Sequence, residues 1–176
     1  MSQHESDSEA VRTLLCDSLV RVRELVAGLT DGLSESVATY RPDPAANTIA
    51  WLLWHLARVQ DDHVCDLIGR EQVWTADGWY ERFALPFEPG DTGFGADADE
   101  VAAVRVSADL LDGYQAAVHA ACVEYTEAIT PDELARIADD SWDPPVTVSA
   151  RLVSVVGDCL QHLGQASYVR GLAERR

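Results

Sequence analysis

Asp158 and His162 stand four residues apart in a stretch of helical periodicity, so on a helix they share one face on neighbouring turns, beside Val155, Cys159 and Ala166. A carboxylate and an imidazole so spaced can close on one metal ion. A third donor must come from another helix. His55 is the best candidate: at 100° per residue it borders the sector of Leu52, Leu56 and Val59, where a bundle helix is expected to be apolar. Two imidazoles and one carboxylate suit Zn, Ni or Fe(II) and leave coordination positions for water or substrate. On spacing alone a second reading stays open, in which Asp158 and His162 form a local hydrogen-bonded pair and His55 is a core histidine. A Cys159 nucleophile beside His162 is a third arrangement, although Cys and His on adjacent turns of an apolar sector more often pack than react. His4, near the terminus, and His119, beside an apolar seam, fall outside the set. Neither G-x-S-x-G nor H-E-x-x-H occurs, which removes the serine hydrolase and zinc protease readings.

Four long segments of helical period must position these groups. The first runs from Ser8 to Leu29 through Val11, Leu15, Val22 and Val26 and stops near Asp31-Gly32. The second runs from Thr48 to Ile68, capped by Asn47 or Thr48 and closed at Gly69. The third spans Asp97 to Ile129 on a near-heptad seam in which only Gln115 departs from small or apolar character. Thr130-Pro131-Asp132-Glu133 has capping-box spacing with proline at the first helical position and predicts one short helix. After the Asp143-Pro144-Pro145 stop, the last helix runs from Val148 to Leu172. β-branched runs are short and lie inside helical patterns, so no strand is placed. The expectation is an all-α four-helix bundle in a single domain over residues 1–176, with a long aromatic connection from Arg70 to Ala96 between the second and third helices.

Composition narrows the chemistry further. Thirty acidic residues face 13 arginines and no lysine, for a net charge of −17. Nucleic acid and anionic membrane surfaces are therefore not expected partners, because both are held mainly by cations. Without lysine there is no Schiff base and no P-loop lysine. The polar, acidic start MSQHESDSEA lacks the layout of a secretion signal, and no run of 18 apolar residues exists, so the expected location is cytoplasmic. Cys16, Cys65, Cys122 and Cys159 are scattered singly, which suits reduced, buried thiols.

Three stretches carry a family resemblance: NTIAWLLWHLARVQDDHV (Asn47 to Val64), VWTADGWYERFALPF (Val73 to Phe87) and DPPVTVSARLVSVVGDCLQHLGQASYVRG (Asp143 to Gly171). The chain resembles the DinB-like superfamily of small bundle proteins, and within it the branch called DUF664. The resemblance implies an up-down-down-up four-helix bundle and a divalent metal held by one histidine of the second helix and a pair four residues apart on the last. Those positions fall on His55, Asp158 and His162. The first member of the pair is histidine in many DinB-like proteins and aspartate here. A carboxylate at that place is similar to mycothiol-dependent maleylpyruvate isomerase, which has glutamate.

The chemistry so implied is metal-assisted use of a low-molecular-weight thiol of the mycothiol type, for S-transfer to a small electrophile or for isomerisation through a transient adduct. Zinc is the expected metal, with nickel or iron as alternatives. His63 and Asp62, one to two turns from His55, then become candidate general base or orienting groups, unless Asp61, Asp62 and Asp66 form a solvated acidic face. Arg58, Arg151 and Arg170 are candidates for anionic groups of the thiol or substrate, or else surface ion-pair partners. Gln115 is a candidate hydrogen-bonding contact to the thiol cofactor. The connection from Trp74 to Phe87, with Trp79 in it, is the candidate lid or pocket wall. Two rival readings share these residues: a non-haem Fe(II) oxygenase with a two-histidine, one-carboxylate triad, and a non-catalytic metal or small-molecule binding bundle. A homodimer is the expected assembly if the chain self-associates.

Overall fold

Four helices carry the core in a computed structural model that describes residues 3–176, with side chains from Ser8 onward. They are α1 (Gln3–Thr30), α3 (Ile49–Ile68), α7 (Ala108–Ala128) and α9 (Val148–Ala173). Between them lie the short helices α2 (Glu35–Ala38), α4 (Val73–Ala76), α5 (Trp79–Phe83), α6 (Ala98–Ala103) and α8 (Pro131–Ala135) and the strands β1 (Ile137–Asp139) and β2 (Val146–Thr147). Helix α3 packs against α7 and α9, and α1 packs against the same two, so α1 and α3 sit on one diagonal of the bundle. No helix among the described residues is long and apolar enough to cross a membrane.

The ends of the core helices follow the sequence closely. Thr48 accepts a hydrogen bond from the Trp51 amide at 3.1 Å and starts α3; Gly69, at φ 73°, ends it in the left-handed region that a side chain disfavours. Thr147 caps α9 in the same way, accepting from the Ala150 amide at 3.2 Å. The inward stripes Leu52 and Leu56 of α3, Leu111 and Val118 of α7, and Leu152, Val155 and Leu163 of α9 are all at most 3 % exposed. Burial of each such leucine stabilises the fold by about 1.5–3 kcal/mol.

Three expectations are corrected. The third segment is not one helix. Asp97 starts α6 with a complete capping box to Glu100, and the chain then leaves the helix over Val104–Ser107 before Ser107 caps α7 at Leu110. Alternating β-branched Val104 and Val106 followed by a capping serine favour that break, while Val101 and Val104 stay buried and continue the seam across it. A small antiparallel ribbon also appears, with Ile137 opposite Thr147 and Asp139 opposite Val146. Two or three residues per strand are too few to leave a period-2 signal. Finally, Thr130 does cap α8 at Glu133, but the Glu133 carboxylate does not return to the cap; it accepts from Tyr125 Oη at 2.6 Å and from Arg136.

Candidate metal centre

His55 comes from the middle of α3, and Asp158 and His162 come from successive turns of α9, the two helices that pack face to face. One donor atom from each residue lies within 4.8 Å of the other two. The imidazole rings of His55 and His162 meet edge to face, with centroids 4.9 Å apart, and His162 Nε2 is 3.5 Å from Asp158 Oδ1. The structure thus brings together the three side chains that the sequence singled out.

The hydrogen bonds around the triad fix which atoms face inward. His55 Nδ1 is 2.5 Å from the Thr92 carbonyl, which can only accept, so Nδ1 carries the proton and Nε2 keeps its lone pair. His162 Nδ1 lies 3.1 Å from Gln165 Oε1, which assigns its proton likewise and turns a second lone pair, on Nε2, toward Asp158. Two acceptors then face one another across 3.5 Å, an arrangement that an added proton or a cation between them resolves. Asp158 Oδ2 is buried and has no hydrogen-bond partner. A divalent cation fits this donor set, because it would satisfy both the orphaned carboxylate oxygen and the two inward lone pairs.

Electrostatics divide the two histidines. Burial lowers the His55 pKa, and the Thr92 carbonyl only partly opposes it. The Asp158 carboxylate raises that of His162, and His162 in turn holds Asp158 below the ordinary carboxylate range. Trp51, one turn before His55, stacks on its ring with centroids 4.6 Å apart and planes 13° from parallel, and presents an edge to His162.

A backbone approach completes the wall. Gly93 has φ 86°, and a Cβ built on it would lie 2.7 Å from the Trp54 ring and 3.2 Å from His55 Nδ1. Only glycine lets the chain come close enough for the neighbouring Thr92 carbonyl to reach His55. That segment is held from the other side by Arg58, which is fully buried: its Nε donates to the Asp91 carbonyl at 3.1 Å, Nη2 to the Pro89 carbonyl at 3.2 Å and Nη1 to Tyr114 Oη at 3.2 Å. Asp61 is its buried counter-ion at 3.6 Å. The Asp61 carboxylate also accepts from the Val73 and Trp74 amides at 2.9 and 2.8 Å and from Tyr114 Oη at 2.8 Å. Burial, then Asp61, push the Tyr114 phenol well above its ordinary value, so it remains a donor.

The remaining residues singled out from sequence are placed as follows. His63 is half-buried, with Nδ1 accepting from Arg151 at 3.0 Å and 3.8 Å from Asp62 Oδ2; burial, then Arg151, lower its pKa. Asp62 accepts from Gln72 at 2.7 Å. Arg151 also reaches Asp139 of the ribbon at 3.5 Å. Arg58 is neither a surface ion-pair partner nor open to a soluble anion, since all three guanidinium nitrogens are engaged inside the protein. Asp61 is likewise a buried structural carboxylate and not part of a solvated face. Gln115 is fully buried, donating to Gln60 at 3.2 Å and accepting from Arg23 at 3.1 Å. Arg170 donates to the Gly28, Leu29 and Asp31 carbonyls and so closes the end of α1. Trp79 packs on Phe83 and Tyr114, beneath the Arg82 guanidinium and against Gly113. Trp74, 2 % exposed, packs on Phe83 and Tyr114 too, so this part of the aromatic connection is core, and the part beside His55 is Thr92-Gly93. Cys159 is buried and its thiol is pushed up to about 12 by burial, which disfavours a nucleophile there. The side chain of His4 lies outside the described residues.

Sequence reasoning missed Thr92, Gly93 and Gln165. The Gly93-Phe94-Gly95 spacing was the available signal for a special backbone, but nothing local tied it to His55, 38 residues away in the chain.

Comparisons with known proteins add an independent line. A family model described as mycothiol-S-transferase matches residues 14–174. The crystal structure of a conserved protein from Enterococcus faecalis is similar to this chain with a TM-score of 0.87 and 33 % sequence identity, covering 94 % of this chain and 98 % of that one. No curated protein matches.

Proposed function

We propose a function from one premise: the chain belongs to the mycothiol-S-transferase family, within the DinB-like superfamily. The reading supported best is a divalent-metal-dependent enzyme that transfers a low-molecular-weight thiol of the mycothiol type to a small electrophile, or isomerises one through a transient thiol adduct. The observation that carries it is the convergence of His55, Asp158 and His162 with an unpartnered, buried Asp158 oxygen among them. The three residues would hold the ion, with zinc expected and nickel or iron as alternatives. Such an ion supplies Lewis acidity, which lowers the pKa of a thiol beside it.

The chain's own residues do the rest. Thr92 and Gln165 fix the two imidazole tautomers, and Trp51 shields the His55 face from water. His63 serves as a hydrogen-bond donor from Nε2, because Arg151 occupies Nδ1, and Asp62, held by Gln72, keeps a carboxylate beside it. Arg58, Gln115 and Trp79 enter this reading as the frame of the site and not as contacts to the thiol. The up-down-down-up course of the bundle, a cytoplasmic location with its pool of reduced thiols, and a homodimeric assembly belong to the same proposal. Nucleic acid and membrane are not among its partners.

The first test is metal content of untagged protein by elemental mass spectrometry. Zinc near one per chain is expected in wild type, its loss in His55→Ala and His162→Ala, and a strong reduction in Asp158→Ala. Full occupancy in either histidine variant overturns the triad. The activity is then read as metal-dependent consumption of mycothiol with a generic electrophile. Iron in place of zinc favours oxygenase chemistry, which uses the same donor set. No thiol consumption above the metal-free control leaves a binding bundle.

A further inference from the structure

A cavity of about 200 Å³ lies against the metal centre and shares two of its walls, Trp51 and the Thr92-Gly93 backbone. An apolar cavity of about 150 Å³ is enough to bind benzene, so this one has room for a single ring with a short substituent. Trp54, Phe87 and Phe94 supply aromatic carbon to its other walls, beside Gly90, Ala96 and two carboxylates. Trp54 and Phe87 tilt together with centroids 5.2 Å apart, and Phe94 stands at the mouth, 95 % exposed. Phe94 is flanked by Gly93 at φ 86° and Gly95 at φ 76°, a backbone that presents this one side chain outward. Phe94 therefore offers a free aromatic ring beside the cavity that it lines.

The rim carries charge of one sign. Asp91 and Glu100 line the cavity, and each carboxylate is anchored locally: Asp91 accepts from the Glu88 amide at 2.9 Å and Glu100 from the Asp97 amide at 2.8 Å. No arginine or histidine is among the residues lining it. The nearest guanidinium along the segment, Arg58, is committed to the carbonyls of Pro89 and Asp91. Two fixed carboxylates attract cations and repel anions, and the exposed Phe94 ring beside them offers a face to a cation.

From these walls and this rim we infer that the cavity takes a planar apolar group that is neutral or cationic and rejects its carboxylate analogue. On the thiol-transfer reading, which this inference deepens, that group belongs to the electrophile. A ligand seated there lies against Trp51, which stacks on His55, and against the segment whose Thr92 carbonyl His55 bonds.

The experiment uses the full chain, metal-free and zinc-loaded, with three probes of similar size: benzyltrimethylammonium, benzyl alcohol and benzoate. Binding is read by tryptophan fluorescence and calorimetry. The ammonium is expected to bind tightest and benzoate about tenfold or more weaker. Phe94→Ala, a change at an exposed position, is expected to weaken the ammonium and the alcohol several-fold while leaving metal content unchanged. Asp91→Asn combined with Glu100→Gln is expected to bring benzoate level with the alcohol. Benzoate binding as tightly as the ammonium, no saturable binding of any probe, or no effect of Phe94→Ala overturns the assignment. Because these titrations need no thiol, their failure leaves the thiol-transfer reading standing. Probe binding without mycothiol consumption overturns that reading and not the pocket.

Discussion

Gly93 is the residue on which the metal centre depends without contributing a donor. Its φ of 86° and the 2.7 Å that a Cβ would leave to the Trp54 ring mean that Gly93→Ala must shift either the segment or the tryptophan. The expected cost is about 1–3 kcal/mol of stability, read as a lower urea midpoint. Metal affinity should fall by about 10- to 100-fold, because the Thr92 carbonyl no longer orients His55. The histidines make a second prediction, for pH. Burial lowers the pKa of His55, His63 and His119, so below about pH 6.5 the unfolded chain takes up protons that the folded chain resists. Their contribution to stability is full above that pH and is lost as pH falls. His162, raised by Asp158, acts in the opposite sense, favouring the fold below pH 6.5 and losing that effect as pH rises through its folded pKa. The lowered group at His63 is read by itself: in urea titrations of metal-free protein between pH 7 and pH 5, His63→Gln should remove one source of lost stability and so lose less than wild type as pH falls.

Among the elements, α3 does two jobs with adjoining faces. One face delivers His55 to α9. The other carries Arg58 and Asp61, which tie the segments at 73–74 and 89–91 to Tyr114 of α7. Both charges are fully buried, so removing one strands the other. Arg58→Met should cost about 3–5 kcal/mol, more than a surface arginine could. Arg58→Lys should lose less stability yet still weaken metal binding, since a lysine cannot hold the Pro89 and Asp91 carbonyls together as a planar fork does. Urea midpoints and metal titrations on the two variants separate the charge from the geometry. The sequence made α3, its caps and its apolar face plain. It did not distinguish Asp61 from Asp62, because adjacent aspartates on a helix differ only in the direction they point. Asp61 is 1 % exposed, whereas Asp62 is only partly buried and bonds Gln72.

At the scale of the molecule, a net charge of −17 makes two copies repel one another over most of their surface. The outer face of α9 is one apolar exception among the described residues. Val153, Leu160 and Tyr168 are 69, 43 and 69 % exposed there, and Gly157 and Gly164 between them have open space where a side chain would be. The proposed homodimer should form through this face. Light scattering should give twice the chain mass for wild type and the chain mass for Leu160→Glu, with metal content unchanged in both. A monomer in wild type at micromolar concentration would sink the dimer.

What the sequence determined by itself is whatever repeats along one helix or is excluded by composition: the four long helical segments, the start of α3 at Asn47 or Thr48 and its end at Gly69, the Asp158 and His162 pair, and the absence of lysine chemistry. Periodicity and capping are local, so a linear pattern carries them. Only the tertiary structure decided what sits beside His55. The Thr92 carbonyl, the Gly93 approach and the burial of Arg58, Asp61 and Gln115 depend on where an irregular segment lands against α3, and no periodicity specifies that landing. Its position follows from the buried ion pair and the backbone carbonyls it must satisfy, groups whose partners lie roughly thirty or more residues away along the chain.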